Sequence, residues 1–392
     1  MRSAPLRSPA AVAVAGVLIL GLAGCGGDTT TTPAPSSTPT PSASTSTSPS
    51  ADPSESIGET AGPTPSTGGA QGSAEAPVAV TASDALLDWT PLPGRVIDTV
   101  TADGKRVLTL DQSGGFATLV GAGPKGARMR ISAGAGRTVS DALLDDDWAV
   151  VVAQDRSESR PAVATVVDLA TGKQTRIDGS SSVPTTTGGS FTLAGDTLLH
   201  PTVRDGAYCL ASVDLATGDS QVGYCAPARN GFNSALLTDA GLGILTFDDS
   251  RPSCRTAVTL DGSQATPLPG VADCAAWQGM PTPDGAVWST IPKPRRIEHA
   301  EYFARSGDSW FDLGPGSAGT LVWCAGSAFF SRDPQSAGDP AELMRWDGAS
   351  LTVAYRAPSG QSFIAEPRCA GSQLSISALA EGGDQQVTAS LG

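Results

Sequence analysis

The spacing of turn residues constrains this chain more than any other feature. One turn glycine returns at Gly126, Gly172, Gly218, Gly262, Gly307 and Gly348, at intervals of 46, 46, 44, 45 and 41 residues. A second series keeps step with it: Asp103-Gly104, Asp146, Gly195, Gly241, Asp284-Gly285, Gly326 and Gly371. A looser third set falls between the two, at Ser113-Gly114, Ser157 to Ser159, Asp205-Gly206, Asp249-Ser250, Pro294-Arg295, Ser336-Ala337 and Gly382-Gly383. Closely spaced turns in such a unit describe four short antiparallel strands per repeat. The stretches between them (Val150 to Val152, Val163 to Val167, Ile244 to Phe247) are β-branched and often apolar at consecutive positions. Consecutive apolar residues mean burial on both faces, as when each sheet packs between two neighbours. The spacing therefore predicts an all-β, seven-bladed β-propeller of four-stranded antiparallel blades over residues 78–392.

The end of the repeat predicts how the ring closes. The outer series stops at Gly348 while the inner one reaches Gly371, and after Gly382-Gly383 only Asp384 to Leu391 remains, enough for one strand. The last blade is a strand short, and Ala76 to Asp88 precedes the first blade with nothing to pair with. An N-terminal strand is expected to complete the last blade, which also removes two open sheet edges. Ser83 to Asp88 reads Ser-Asp-Ala-Leu-Leu-Asp and recurs at Ser140 to Asp145, where an innermost strand is expected. If that repetition is structural, another strand closes the ring or the count shifts by one.

Ahead of the repeat, Arg2 and Arg7 form a short positive region before an apolar run from Ala10 to Leu22, shorter than a membrane-spanning helix requires and of the form of a secretory signal. It ends in Leu22-Ala23-Gly24-Cys25, which resembles the bacterial lipobox. The resemblance implies a lipoprotein of the actinobacterial type: residues 1–24 are removed and Cys25 carries the acyl chains that hold the protein on the extracytoplasmic side of the cell membrane. From Gly26 to Pro77 the chain is mostly Thr, Ser, Pro, Ala and Gly. Residues 25–77 are read as a disordered tether, because so little apolar surface cannot offset the entropy of ordering.

Composition narrows the function. A net charge of -14 argues against nucleic acid as a partner, since no basic stripe is available to displace counterions. Beyond Cys25 there are six cysteines, an even number in a chain expected outside the cytoplasm, so disulfides are favoured over metal or redox chemistry. Cys209 and Cys225 straddle Thr217 symmetrically, Cys254 and Cys274 flank the next outer hairpin, and Cys324 and Cys369 open the same Cys-Ala-Gly-Ser tetrapeptide one blade apart. Sequential pairing is expected, with the last pair stapling blade 6 to blade 7.

Chemical motifs are scarce. His200 and His299 are the two histidines, there is no GxSxG, and the GxGxxG match at Gly121 to Gly126 lacks the following helix that phosphate binding needs. Asp145-Asp146-Asp147 and Asp248-Asp249 lack calcium-loop spacing. No catalytic residue, metal or cofactor is assigned. Thr101 to Arg106 and Thr282 to Trp288 resemble the inner hairpin of TolB-like propellers, and the two Asp-Leu-Ala-Thr-Gly stretches ending at Gly172 and Gly218 resemble the outer hairpin of PQQ-type quinoprotein repeats. The resemblance implies the fold and no cofactor, since many proteins with this hairpin bind no quinone. The most distinctive loop is basic: Lys293, Arg295, Arg296, Glu298 and His299, expected to form a partner-binding rim with Glu301, Tyr302, Trp277 and Asn230 to Asn233. The expected function is a monomeric binding or assembly scaffold for a protein or glycan, the alternative being a hydrolase or lyase with carboxylates in the central channel.

Overall fold

A computed structural model describes residues 76–92, 100–111, 113–293, 296, 299–358 and 361–392. Seven antiparallel sheets are arranged as the blades of a ring, spanning residues 100–132, 137–177, 192–225, 231–267, 276–316, 322–356 and 362–390. Blade 2 shows the pattern: Arg137–Leu144 is innermost, followed outward by Trp148–Asp155, Val163–Asp168 and Gln174–Ile177. The inner and outer turn series occupy the hairpins on one face of the ring. The third series and the connections between blades occupy the other, hereafter the loop face.

Burial explains why apolar residues run consecutively. Along Trp148–Asp155 nearly every position is buried. Ala149, Val151 and Ala153 enter a core shared with blade 1, whereas Val150 and Val152 enter the core shared with blade 3. The same division recurs at Phe329, which packs toward blade 7, and Phe330, which packs toward blade 5. At ~1.5–3 kcal/mol for each large aliphatic side chain removed from water, these inter-blade layers supply the main driving force for the ring.

The outer hairpins show why their sequence repeats. Asp168 Oδ1 accepts the Ala170 and Thr171 N–H groups at 2.9 and 3.0 Å, and Gly172 takes φ +76°. Asp214 Oδ1 likewise accepts the Thr217 N–H at 2.9 Å, with Gly218 at φ +81°. The aspartate caps the turn and the glycine occupies the left-handed conformation that a side chain would strain. Gly121 to Gly126 is also a hairpin region, joining Phe116–Ala122 to Ala127–Ser132.

An N-terminal strand does complete blade 7, but through Thr90–Pro91 rather than the expected Ala76 to Asp88. Thr90 pairs with Thr388 and Pro91 with Val387, and Leu92 N–H donates to Gln386 O at 2.7 Å. Pro91 is tolerated because the strand lies at a sheet edge. The earlier segment runs around the outside of the ring. Val78–Ala79 pairs in parallel with the outer strand of blade 5, and Ser83–Asp84 with that of blade 6, giving each a fifth strand. The repeated hexapeptide is thus not a structural repeat, since Ser83 lies on an outer rim and Ser140 in an innermost strand.

This strap is anchored by side chains as well as backbone. Trp89 Nε1 donates to Ala354 O at 2.9 Å, and its ring meets Tyr355 edge-on at 5.3 Å. Arg356 binds both carboxylate oxygens of Asp84, at 2.7 and 3.1 Å, while its Nε donates to Glu342 at 3.0 Å. The guanidinium hydrogen bonds hold the Asp84 carboxyl below its usual range, against an opposing effect of burial and with the Arg356 charge adding to the fall.

Three disulfides join the cysteines in sequence: Cys209–Cys225, Cys254–Cys274 and Cys324–Cys369. The first crosses adjacent strands of blade 3, and the last joins the innermost strands of blades 6 and 7. Residues 1–75, including Cys25 and most of the expected tether, lie outside the described residues.

Candidate functional site

The innermost strands surround a channel of about 650 Å³. Four of these strands carry one extra residue against their neighbours. The irregularity falls between Val139 and Asp141 in blade 2, between Asn233 and Leu236 in blade 4, and between Ala276 and Gln278 in blade 5. In blade 7 it falls between Ile364, opposite Ala378, and Arg368, opposite Ser375. A bulge bends the strand and re-aims the side chains beside it. Asp141, Asn233, Gln278, Glu366 and Arg368, each at or beside a bulge, all line the channel. Pro367 stands at the blade 7 break, where it has no N–H to contribute to a ladder.

Charge gathers on one wall. Arg368 Nη1 donates to Asp141 Oδ1 at 2.8 Å, and Nη2 lies 3.8 Å from Glu366 Oε2. One guanidinium therefore sits between two carboxylates from blades 2 and 7. Burial pushes the Glu366 carboxyl up, Arg368 pulls it down, and the Asp141 charge adds to the rise, leaving it above its ordinary range. Burial opposes the Arg368 charge most strongly, yet its pKa is raised because Asp141 and Glu366 together outweigh that cost. On the opposite arc, Gln278 is buried, and its Oε1 accepts the Leu321 N–H at 3.3 Å. Toward the hairpin face, Trp323 lines the channel and its Nε1 donates to Asp239 Oδ2 at 3.2 Å, bracing blade 6 against blade 4 across the ring.

The basic loop expected as a partner-binding rim joins the second and third strands of blade 5, on the face where it was expected and away from the channel lining. Lys293, Arg296 and His299 are exposed on the loop face between the second and third strands of blade 5, and none of them lines the channel. Arg296 N–H donates to Lys293 O at 2.8 Å and His299 N–H to Arg296 O at 3.0 Å. Arg295 and Glu298 lie outside the described residues. Beside the loop, burial raises the Glu301 carboxyl, the Asp312 charge adds to the rise, and His299 opposes it. Two rim expectations are corrected. Tyr302 is fully buried between blades 5 and 6, stacked on Phe330 at 4.0 Å, because its position in the strand points it into the inter-blade core. Phe232 is likewise buried, while Asn233 beside it reaches the channel.

The other histidine serves the core. His200 is fully buried on blade 3, its ring 5.8 Å from that of Phe191, with Nδ1 3.0 Å from Pro201 O and no partner for Nε2. Burial lowers its pKa, against a raising effect of the Pro201 carbonyl. Among the described residues no group of three or more His, Cys, Asp and Glu side chains is arranged to hold a metal.

The Asp141, Glu366 and Arg368 cluster was not singled out in the sequence. Its one local signal is Pro367, a proline within an expected innermost strand just ahead of the Cys-Ala-Gly-Ser tetrapeptide, which marks a bulge.

No family model and no curated protein matches this chain. Among solved structures it is similar to the β-propeller domain of the trilobed protease from Pyrococcus furiosus, with a TM-score of 0.51 and 12% identity over 75% of this chain and 96% of that one. Other similar structures include an oligogalacturonate lyase from Vibrio parahaemolyticus, at TM-score 0.46 and 13% identity over 80% of this chain and 99% of that one. An acylaminoacyl peptidase from Pyrococcus horikoshii matches at TM-score 0.46 and 10% identity, over 75% of this chain and 52% of that one, so the chain spans about half its length. The likeness to the first shows the propeller fold. That propeller has an open velcro topology, whereas Thr90–Pro91 closes the ring here.

Proposed function

We propose that this protein is a lipid-anchored extracytoplasmic lipoprotein whose propeller binds a partner without transforming it. The observation that carries the non-catalytic reading is the placement of Arg368. Cleavage of a glycosidic bond by two carboxyl groups requires them to flank the bond, with about 5 Å or more between them for substrate or water. The space between Asp141 and Glu366 is instead occupied by a guanidinium within ion-pairing reach of both. Such an arrangement fixes the walls of a binding site and leaves neither acid free to face a scissile bond alone. Three disulfides are consistent with life outside the reducing cytoplasm, as the lipobox-like Cys25 requires.

A hydrolase or lyase acting in the channel draws on one specific feature. Burial raises the Glu366 carboxyl above its ordinary range, the Asp141 charge adding to the rise against Arg368, and a carboxyl so raised is suited to act as a general acid.

Fractionation and crosslinking of intact cells expressing the full chain test the proposal. The wild type is expected in the membrane fraction, and Cys25→Ala in the soluble or secreted fraction. Crosslinked capture of a partner is expected to fall when Arg295 and Arg296 are both changed to Glu, or when Arg368 is changed to Met. Membrane retention of Cys25→Ala overturns the anchor. Capture unaffected by both sets of changes overturns the binding face, and turnover of captured glycan overturns the non-catalytic reading.

A further inference from the structure

We infer that the channel collar built by the four bulges is a binding site for an uncharged saccharide segment, an inference that rests on the binding reading above and names its ligand class. Bulges at one level in four of seven innermost strands are costly to maintain if the channel is only a hole, because each interrupts a ladder of backbone hydrogen bonds. Here each one delivers polar side chains to a single ring: Asp141 from blade 2, Asn233 from blade 4, Gln278 from blade 5, Glu366 and Arg368 from blade 7.

The chemistry of that ring fits sugar hydroxyls. Carboxamides both donate and accept, carboxylates accept, and guanidinium donates, so the collar offers both halves of the hydrogen bonds a polyhydroxylated ligand needs. Gln278 is preset, its Oε1 tied to the Leu321 N–H at 3.3 Å, and Asp141 is preset by Arg368 at 2.8 Å. Such prior fixing lowers the ordering cost of binding. Trp323 adds aromatic surface to the same channel. The volume of about 650 Å³ falls within the range of small-ligand sites and fits a few pyranose rings.

Charge selects among sugars. Asp141 and Glu366 face one Arg368. The wall thus carries more acid than base, in a protein of net charge -14. Uronic acids and phosphorylated sugars would bring a like charge into this ring, whereas a neutral chain meets no such penalty.

The test is titration of the purified full chain, in detergent, with maltotriose, cellotriose, chitotriose, trigalacturonate and trilysine, followed by tryptophan fluorescence and calorimetry. At least one neutral trisaccharide is expected to bind saturably. Asn233→Ala and Gln278→Ala are each expected to weaken that binding about tenfold, with an unchanged thermal midpoint for the exposed Asn233 as the control for folding. Failure of all three neutral sugars with a folded protein, tighter binding of trigalacturonate or trilysine, or binding unmoved by both substitutions overturns the inference. Chromatography of the bound sugar separates this from the reading beneath it. An intact sugar upholds both, and a shortened one upholds the ligand class while overturning the non-catalytic role. Neutral sugars that fail while Arg368-dependent crosslinked capture persists overturn the ligand class alone.

Discussion

Blades 1 to 4 consist of their own four consecutive strands and nothing more, whereas blades 5 to 7 take additional strands from a segment that precedes blade 1 in the chain. In the first group all the information for a blade is local, carried by turn residues and alternating cores. In the second group the fifth strands of blades 5 and 6 and the outer strand of blade 7 come from residues 78–91. Two halves of one ring thus have different folding requirements. Blades 1 to 4 need only their own hairpins, whereas blades 5 and 6 gain their edge strands, and blade 7 its fourth strand, only when residues 78–91 reach them, which adds non-local contacts of the kind that slow folding.

The largest expected effect is the deletion of residues 76–91. It strips the outer strand from blade 7 and both parallel strands from its neighbours, so loss of a single cooperative melting transition is expected by calorimetry, with the earliest protection lost in blades 5 to 7 by hydrogen exchange. Uniform loss of protection around the ring would break the comparison. Next in size, replacing Cys324 and Cys369 by Ser is expected to cost about 4 kcal/mol and replacing Cys209 and Cys225 about 3 kcal/mol, on loop length alone. The separations are 45 and 16 residues. Equal or reversed costs from denaturant titration would mean that the seam is held elsewhere. Trp89→Ala, which removes a half-buried ring and its hydrogen bond to Ala354, is expected to cost about 2 kcal/mol and to leave exchange in blades 1 to 4 unchanged.

The smallest prediction concerns the self-completed half. His200 has its pKa lowered by burial, so the fold binds its proton more weakly than the unfolded chain does. Its neutral form is fully accommodated above the ordinary imidazole value of about 6.5, and stability is lost as pH falls below it toward the lower folded value. His200→Phe is expected to remove that slope and to add about 1 kcal/mol near pH 5.5, since Nε2 is left without a partner in the wild type. An unchanged pH slope in the variant would place the titration on other groups.

Most of the ring was legible because its signals are local. Asp168 with Gly172 and Asp214 with Gly218 encode hairpins by the same capped turn, and Cys209 opposite Cys225 follows from hairpin symmetry. The route of the strap was not legible, because ladders of two residues such as Val78–Ala79 and Ser83–Asp84 leave no periodic trace and their partners lie far along the chain. The hexapeptide shared by Ser83 and Ser140 left the closing strand open in the sequence, since identical residues serve a rim in one place and a hub in the other. The channel cluster was hidden by distance, since Asp141 and Arg368 are separated by 227 residues. A bulge is one additional residue, which changes pairing without changing composition.

The route of the strap also fixes the order in which mechanical load would be felt. Tension applied ahead of Ala76 meets the clip on blade 5 first and the clip on blade 6 second, and reaches the pair formed by Thr90 and Pro91 with blade 7 last. A protein dragged by its N-terminus would yield two sacrificial fastenings before the wheel itself came undone.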